Sequence, residues 1–322
     1  MLSQPVLKES VDTYEAGNNH DNAQLPLQMP LSTPIYSSTT VQSFSNIQLN
    51  QVPFWPQTEY QCGPAALSMA LNVKGVAITP SELIPRLYIP NKQGAITPEI
   101  LAVTRFYQKI PLTLNGTLTD IIRQLTLGRP VVILQNLGLD VLPKWHFSVV
   151  IGVDFDAKQW IVHSGEDAFR RMDFNVFERT WARADYWAMV VLSPEELPTM
   201  EELKAYGLAM VDFEQLGQLD MAKKGYEQML KRQPKQLLAQ MGLANIEYQQ
   251  GHYHAAKERF EALSKEYAQE PRIWNNLAYT YAQLNMTKFA LDAIDRAVVL
   301  SNAQPQFLQS QQEILLMLNA DK

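Results

Sequence analysis

The 322-residue chain reads as an α+β domain followed by an all-α domain of stacked helical repeats. Three observations predict this. Helical signals between about residues 52 and 127 give way to short, bounded runs of β-branched residues between 130 and 192. Strand signals vanish after Pro198. From there the sequence matches itself at a period of 34 residues.

Residues 1–50 are rich in Gln, Asn, Ser, Thr and Pro, lack a sustained hydrophobic period and read as a flexible tail. Residues 51–198 read as the first domain. Thr79-Pro80-Ser81-Glu82 and Thr97-Pro98-Glu99 have the pattern of helix starts with proline in the first turn. Thr117 to Leu127 has helical apolar spacing, and Gly128-Arg129-Pro130 stops it. Residues 130–134, 146–151, 160–162 and 187–192 read as strands. Asp154 to Lys158 supplies turn residues between the second and third, so those two form a hairpin and bring the segment after His146 beside Ser164.

Residues 199–322 read as the repeat domain. Gly217, Gly251 and Asn285 occupy one position of the period, Ala222, Ala256 and Ala290 a second, and Tyr226, Phe260 and Ile294 a third. Gly or Asn ends a helix in the left-handed conformation, Ala allows two helices to approach, and the large residue fills their seam. With Pro234, Ala244, Trp274 and Ala278, these residues resemble the tetratricopeptide repeat, and the amphipathic stretch Gln304 to Leu318 caps the stack. Such repeats imply a protein partner.

Composition removes several functions. Acidic residues outnumber basic ones 33 to 27 and no basic stripe could follow a phosphate backbone, so nucleic acid is not expected as a partner. No run approaches the roughly 18 apolar residues that a membrane-spanning helix needs. One cysteine allows neither an internal disulfide nor a cysteine cage for a metal, and no phosphate-binding glycine loop occurs. No metal or cofactor is expected.

The lone cysteine lies in Tyr60-Gln61-Cys62-Gly63-Pro64-Ala65-Ala66-Leu67, a pattern that puts it at the start of a helix. Unpaired amides and the positive end of the helix dipole there favour a thiolate, so a lowered thiol pKa is expected. The same amides can receive an oxyanion, with Gln57 or Gln61 as a further donor. A base must come from elsewhere in the chain. His146 opens a strongly apolar strand and is the first candidate, with His163 second; His20 falls in the tail, and His252 and His254 in a repeat turn.

Gln57, Cys62-Gly63-Pro64-Ala65 and His146-Phe147-Ser148-Val149-Val150 together resemble the bacteriocin-processing, double-glycine-type cysteine peptidases of the papain superfamily, the peptidase C39-like group. The resemblance covers about Val52 to Pro198 and implies a papain-like fold, Cys62 as nucleophile, His146 as base, the Gln57 side chain in the oxyanion hole and a peptide or protein substrate. Relatives usually carry an Asp at the end of the strand after the histidine. This chain reads His163-Ser164-Gly165 there, which puts Ser164 in the orienting place. Three activities fit these residues: a thiol peptidase, an acyltransferase using the same pair, and an inactive peptide-binding scaffold. The absence of an export signal after Met1 predicts a cytoplasmic protein, whereas the resemblance also suits a bacterial envelope or periplasmic protein whose export segment lies upstream.

Overall fold

The computed structural model describes residues 45–56, 61–89 and 94–320, which fall into two compact units divided between Ser193 and Pro194. Residues 1–44 of the expected tail, and with them His20, lie outside the described residues, as does Gln57.

The first unit is a seven-stranded antiparallel sheet with helices packed on it. Its strands are β1 (Ile47–Gln48), β2 (Ile110–Thr113), β3 (Val131–Asn136), β4 (Trp145–Asp154), β5 (Gln159–Ser164), β6 (Asp167–Asp173) and β7 (Ala188–Leu192). Its helices are α1 (Cys62–Val73), α2 (Pro80–Leu87), α3 (Thr97–Phe106), α4 (Leu118–Thr126) and α5 (Phe174–Ala182). The spatial order is β2-β7-β3-β4-β5-β6, and β1 pairs with β4 beyond the end of β3.

The expected helix starts have physical anchors. Thr79 and Glu82 form a reciprocal capping box at α2, and the Thr117 side chain accepts the Asp120 amide at α4. Every residue of α1 from Gly63 to Leu71 is buried, so this helix is the centre of the unit, against β4, β3, α2 and α3. The hairpin expected between residues 154 and 158 is the β4–β5 connection.

Ile47 and Gln48, assigned to the tail by composition, instead pair with Val153 and Gly152, and Leu49 is buried. Gly152 makes this possible, because a side chain there would collide with the Ile47 carbonyl. Composition cannot register a two-residue strand that is held by a partner a hundred residues away.

The second unit is all helical: α6 (Leu203–Gln215), α7 (Leu219–Arg232), α8 (Leu237–Gln249), α9 (Tyr253–Glu266), α10 (Pro271–Gln283), α11 (Thr287–Leu300) and α12 (Pro305–Ala320). Gly217, Gly251 and Asn285 follow α6, α8 and α10 at φ 72°, 78° and 57°, the left-handed residues that the period predicts. Ala222, Ala256, Ala290, Tyr226, Phe260 and Ile294 are all fully buried. Where Ala244 and Ala278 recur, the first repeat has Met210, and Gly225 on α7 leaves the space its thioether fills.

Candidate active site

Cys62 is the first residue of α1 and is partly exposed. The side chain of Gln61, the residue before it, does not cap the helix, so the first-turn amides are left to other acceptors. Those of Cys62 and Gly63 face the thiol, and so does the amide of Phe147 on β4. Gly63 admits the close approach of Ala95, since a Cβ there would lie 2.5 Å from Ala95 Cβ, while its 3.5 Å to the Phe147 ring would be ordinary contact. The helix start therefore sits against the strand residue next to His146.

His146 projects from the start of β4 as residue opposite Gln135 of β3. Its Nε2 lies 3.0 Å from Ser164 Oγ at the end of β5, where the turn Gly165-Glu166, with Gly165 at φ 64°, leads into β6. The Ser164 that the resemblance puts beside the histidine is thus in hydrogen-bond contact with it. Nδ1 takes no hydrogen bond among the described residues, which leaves it available to a proton from a thiol.

His163, the second candidate base, is excluded by its contacts. It is fully buried, its Nε2–H donates to the Val52 carbonyl at 3.3 Å, and its Nδ1 accepts the Phe169 amide at 3.2 Å. Both nitrogens are used, and the ring lies against Phe54 and Phe169. Asp154 pairs with Arg171 at 2.8 Å in the hairpin. His252 pairs with Glu247 on the surface, and no group of residues fit to hold a metal occurs among the described residues.

The lowered thiol pKa expected from the helix start is not what the site produces. Burial pushes the Cys62 thiol up, and the amides of Phe147, Gly63 and Cys62 only partly oppose this. Burial, with Arg170 and Lys144 nearby, pushes His146 down to about 4. The site therefore favours a neutral thiol and a neutral imidazole. The helix-dipole argument has the right sign but is outweighed by desolvation, which requires the three-dimensional packing.

Behind Ser164 lie residues that sequence reasoning passed over. Ser148 Oγ is 3.1 Å from Ser164 Oγ and 3.0 Å from Gln135 Oε1; Gln135 Nε2 donates to Thr180 Oγ1 at 2.7 Å; Thr180 Oγ1 is 3.0 and 2.9 Å from the carbonyls of Val176 and Phe177 in α5. All four side chains are buried. The signal available in the sequence was a polar residue inside an apolar strand: Ser148 between Phe147 and Val149, Gln135 after Val131 to Leu134.

A cysteine at a helix start, a strand histidine and a serine on the neighbouring strand are thus gathered on an α+β fold. Residues 49–189 match the Peptidase_C39 like family, and residues 214–278 match the tetratricopeptide repeat. The chain thus joins a C39-like peptidase domain to tetratricopeptide repeats, the fusion expected from the Cys62 run and the 34-residue period.

Among solved structures, the chain is similar to the crystal structure of a putative C39-like peptidase from Bacillus anthracis, with 16% identity, 47% of this chain and 98% of that chain covered, and a TM-score of 0.40. It is also similar to PcrH from Pseudomonas aeruginosa, at 21% identity, 38% and 93% coverage and a TM-score of 0.34. PcrH in complex with the chaperone binding region of PopB gives 21%, 38%, 98% and 0.33. No curated protein matches the chain. No helix among the described residues is long and apolar enough to cross a membrane.

Proposed function

We propose that the first domain is a thiol peptidase acting on peptide or protein substrates, and that the repeat domain recruits a peptide or protein partner. The observation that carries this is the position of the Cys62 thiol on the Phe147 amide, one residue from a histidine whose Nδ1 takes no hydrogen bond among the described residues. Cys62 Sγ bonds to the scissile carbonyl carbon while its proton passes to His146 Nδ1. The carbonyl oxygen, now anionic, is received by the first-turn amides of α1 and by Gln57. His146 then returns the proton to the leaving amine as the C–N bond breaks; water, giving its proton to His146, next attacks the thioester carbon, and the C–S bond breaks as His146 passes that proton to Sγ.

Because burial opposes a lone charge on either residue, the proton moves only between them, as the carbonyl is attacked. The reading is tested by exposing a peptide mixture to the wild type and to Cys62→Ala and identifying new termini by mass spectrometry. Cleavage by the wild type alone supports it. No cleavage by either favours a second reading, a scaffold that binds peptides without cutting them, for which the neutral partner of His146 and the raised thiol speak. Transfer of the acyl group to an added amine instead of water would indicate an acyltransferase using the same pair.

A further inference from the structure

We infer that Gln135, Ser148 and Thr180 are positioning residues which, through Ser164, hold His146 as its Nε2–H tautomer and leave Nδ1 bare to take the Cys62 proton. The inference deepens the peptidase reading and rests on it for the catalytic part.

The order of the protons is set from the far end. The carbonyls of Val176 and Phe177 can only accept, so the Thr180 hydroxyl proton goes to them at 3.0 and 2.9 Å. Thr180 Oγ1 therefore accepts from Gln135, which turns the amide nitrogen toward Thr180 at 2.7 Å. The 3.6 Å contact of that same nitrogen with Met172 Sδ, a weak acceptor, agrees. Gln135 Oε1 then faces Ser148 at 3.0 Å and can only accept, so the Ser148 proton is directed there.

A hydroxyl has one proton, so the 3.1 Å contact between Ser148 and Ser164 is donated by Ser164. With its own proton used, Ser164 Oγ can only accept at 3.0 Å from His146, and Nε2 must carry a hydrogen. The chain runs one way, from imidazole to helix carbonyls, and spans β4, β5, β3 and α5. None of its polar atoms is left buried without a partner. It supplies by hydrogen-bond order the tautomer control that a carboxylate would supply by charge.

Thr180 sets the direction. With Thr180→Val the amide of Gln135 is free to turn over; its nitrogen then donates to Ser148, Ser148 to Ser164, Ser164 to Nε2, and the proton of His146 is forced to Nδ1. Thr180→Ser keeps the hydroxyl and the direction. The test is long-range 1H–15N correlation of the full chain labelled with 15N-histidine at pH 7, His146 being assigned by comparison with His146→Ala. We expect neutral Nε2–H in the wild type and in Thr180→Ser, and a mixed or Nδ1–H state in Thr180→Val. Iodoacetamide modification of Cys62 in Thr180→Val should be about twofold slower or more, in proportion to the competent tautomer.

An Nδ1–H or charged His146 in the wild type would overturn the inference whatever the variants do, as would an unchanged tautomer in Thr180→Val. If Thr180→Val does not fold, Ser148→Ala, which cuts the chain next to Ser164, is read in the same way. The expected tautomer in a protein that cleaves no peptide would uphold the chain and overturn the peptidase reading instead.

Discussion

His146 Nε2 and Ser164 Oγ lie 3.0 Å apart, an imidazole whose hydrogen-bond partner is an uncharged hydroxyl. Among the described residues no negative charge acts on His146, and the nearby charges of Arg170 and Lys144 oppose imidazolium. The pH behaviour of the site follows from this pair.

His146 is active as a base only when neutral, and its pKa is pushed down to about 4. The acid limb of kcat/KM should therefore lie near pH 4 and not near the ordinary histidine value of about 6.5. No alkaline limb from Cys62 is expected within the ordinary thiol range, since burial pushes the thiol up. A pH profile of peptide cleavage checks both limbs. An acid limb above pH 6 would contradict the assignment.

Ser164→Asp places a negative charge next to His146 and favours imidazolium, so the histidine pKa rises. The acid limb should move up by at least about one pH unit, with activity at pH 7 retained or increased. An unmoved limb would mean that residue 164 does not face the imidazole in solution.

In the repeat domain, an ideal Cβ on Gly225 would come within 1.7 Å of Met210 Sδ, and Met210 is fully buried. Gly225→Ala should destabilise by about 1–3 kcal/mol, which exceeds the roughly 1 kcal/mol that alanine gains over glycine in a helix. Adding Met210→Ala, the residue found at 244 and 278, should leave the double variant at least about 1 kcal/mol more stable than the sum of the single effects. Denaturant unfolding of the four proteins measures the coupling.

Glu214 on α6 is buried, accepts hydrogen bonds from Tyr226 and Gln249 at 2.9 Å each, and is pushed up from 4.5 to about 7 by burial, against those bonds. A carboxyl with a raised folded pKa binds its proton more tightly in the native state. Its contribution is thus full below the unfolded pKa and is lost as pH rises through the folded one. Hydrogen exchange of α6, α7 and α8 in the full chain should become faster between pH 5 and 8, after correction for intrinsic rates, corresponding to a loss on the order of 3 kcal/mol. Glu214→Gln should remove that dependence.

The elements legible in the sequence are those written in local chemistry. Proline-led helix starts at Thr79 and Thr97, the apolar strand after His146 and the 34-residue spacing of Gly217, Gly251 and Asn285 each carry their own signal. β6 was not legible because its side chains are exposed from Asp167 to Arg171 and show no apolar alternation. α5 was, in principle, since Phe174, Phe177 and Trp181 recur at helical spacing. Cys62 and His146 could be named as candidates because each stands in a distinctive run, and Ser164 only because it occupies the place where the resemblance expects an Asp. Gln135, Ser148 and Thr180 could not, because their roles depend on register between three strands and a helix. The helix start at Cys62 predicts a lowered thiol pKa and burial raises it, and burial is a property of packing.

The most direct test of the account is the rate of Cys62 alkylation by iodoacetamide against pH, in the wild type and in His146→Ala. Cys62 is the sole cysteine, so the signal is unambiguous. A base with a pKa of about 4 beside a thiol pushed up by burial predicts a His146-dependent plateau from about pH 5 to 8, followed by a rise as the thiol ionises. In His146→Ala the plateau should be lost and the alkaline rise retained. Superimposable profiles in the two proteins would show that His146 does not take the Cys62 proton, and would contradict the assignment of these residues as nucleophile and base.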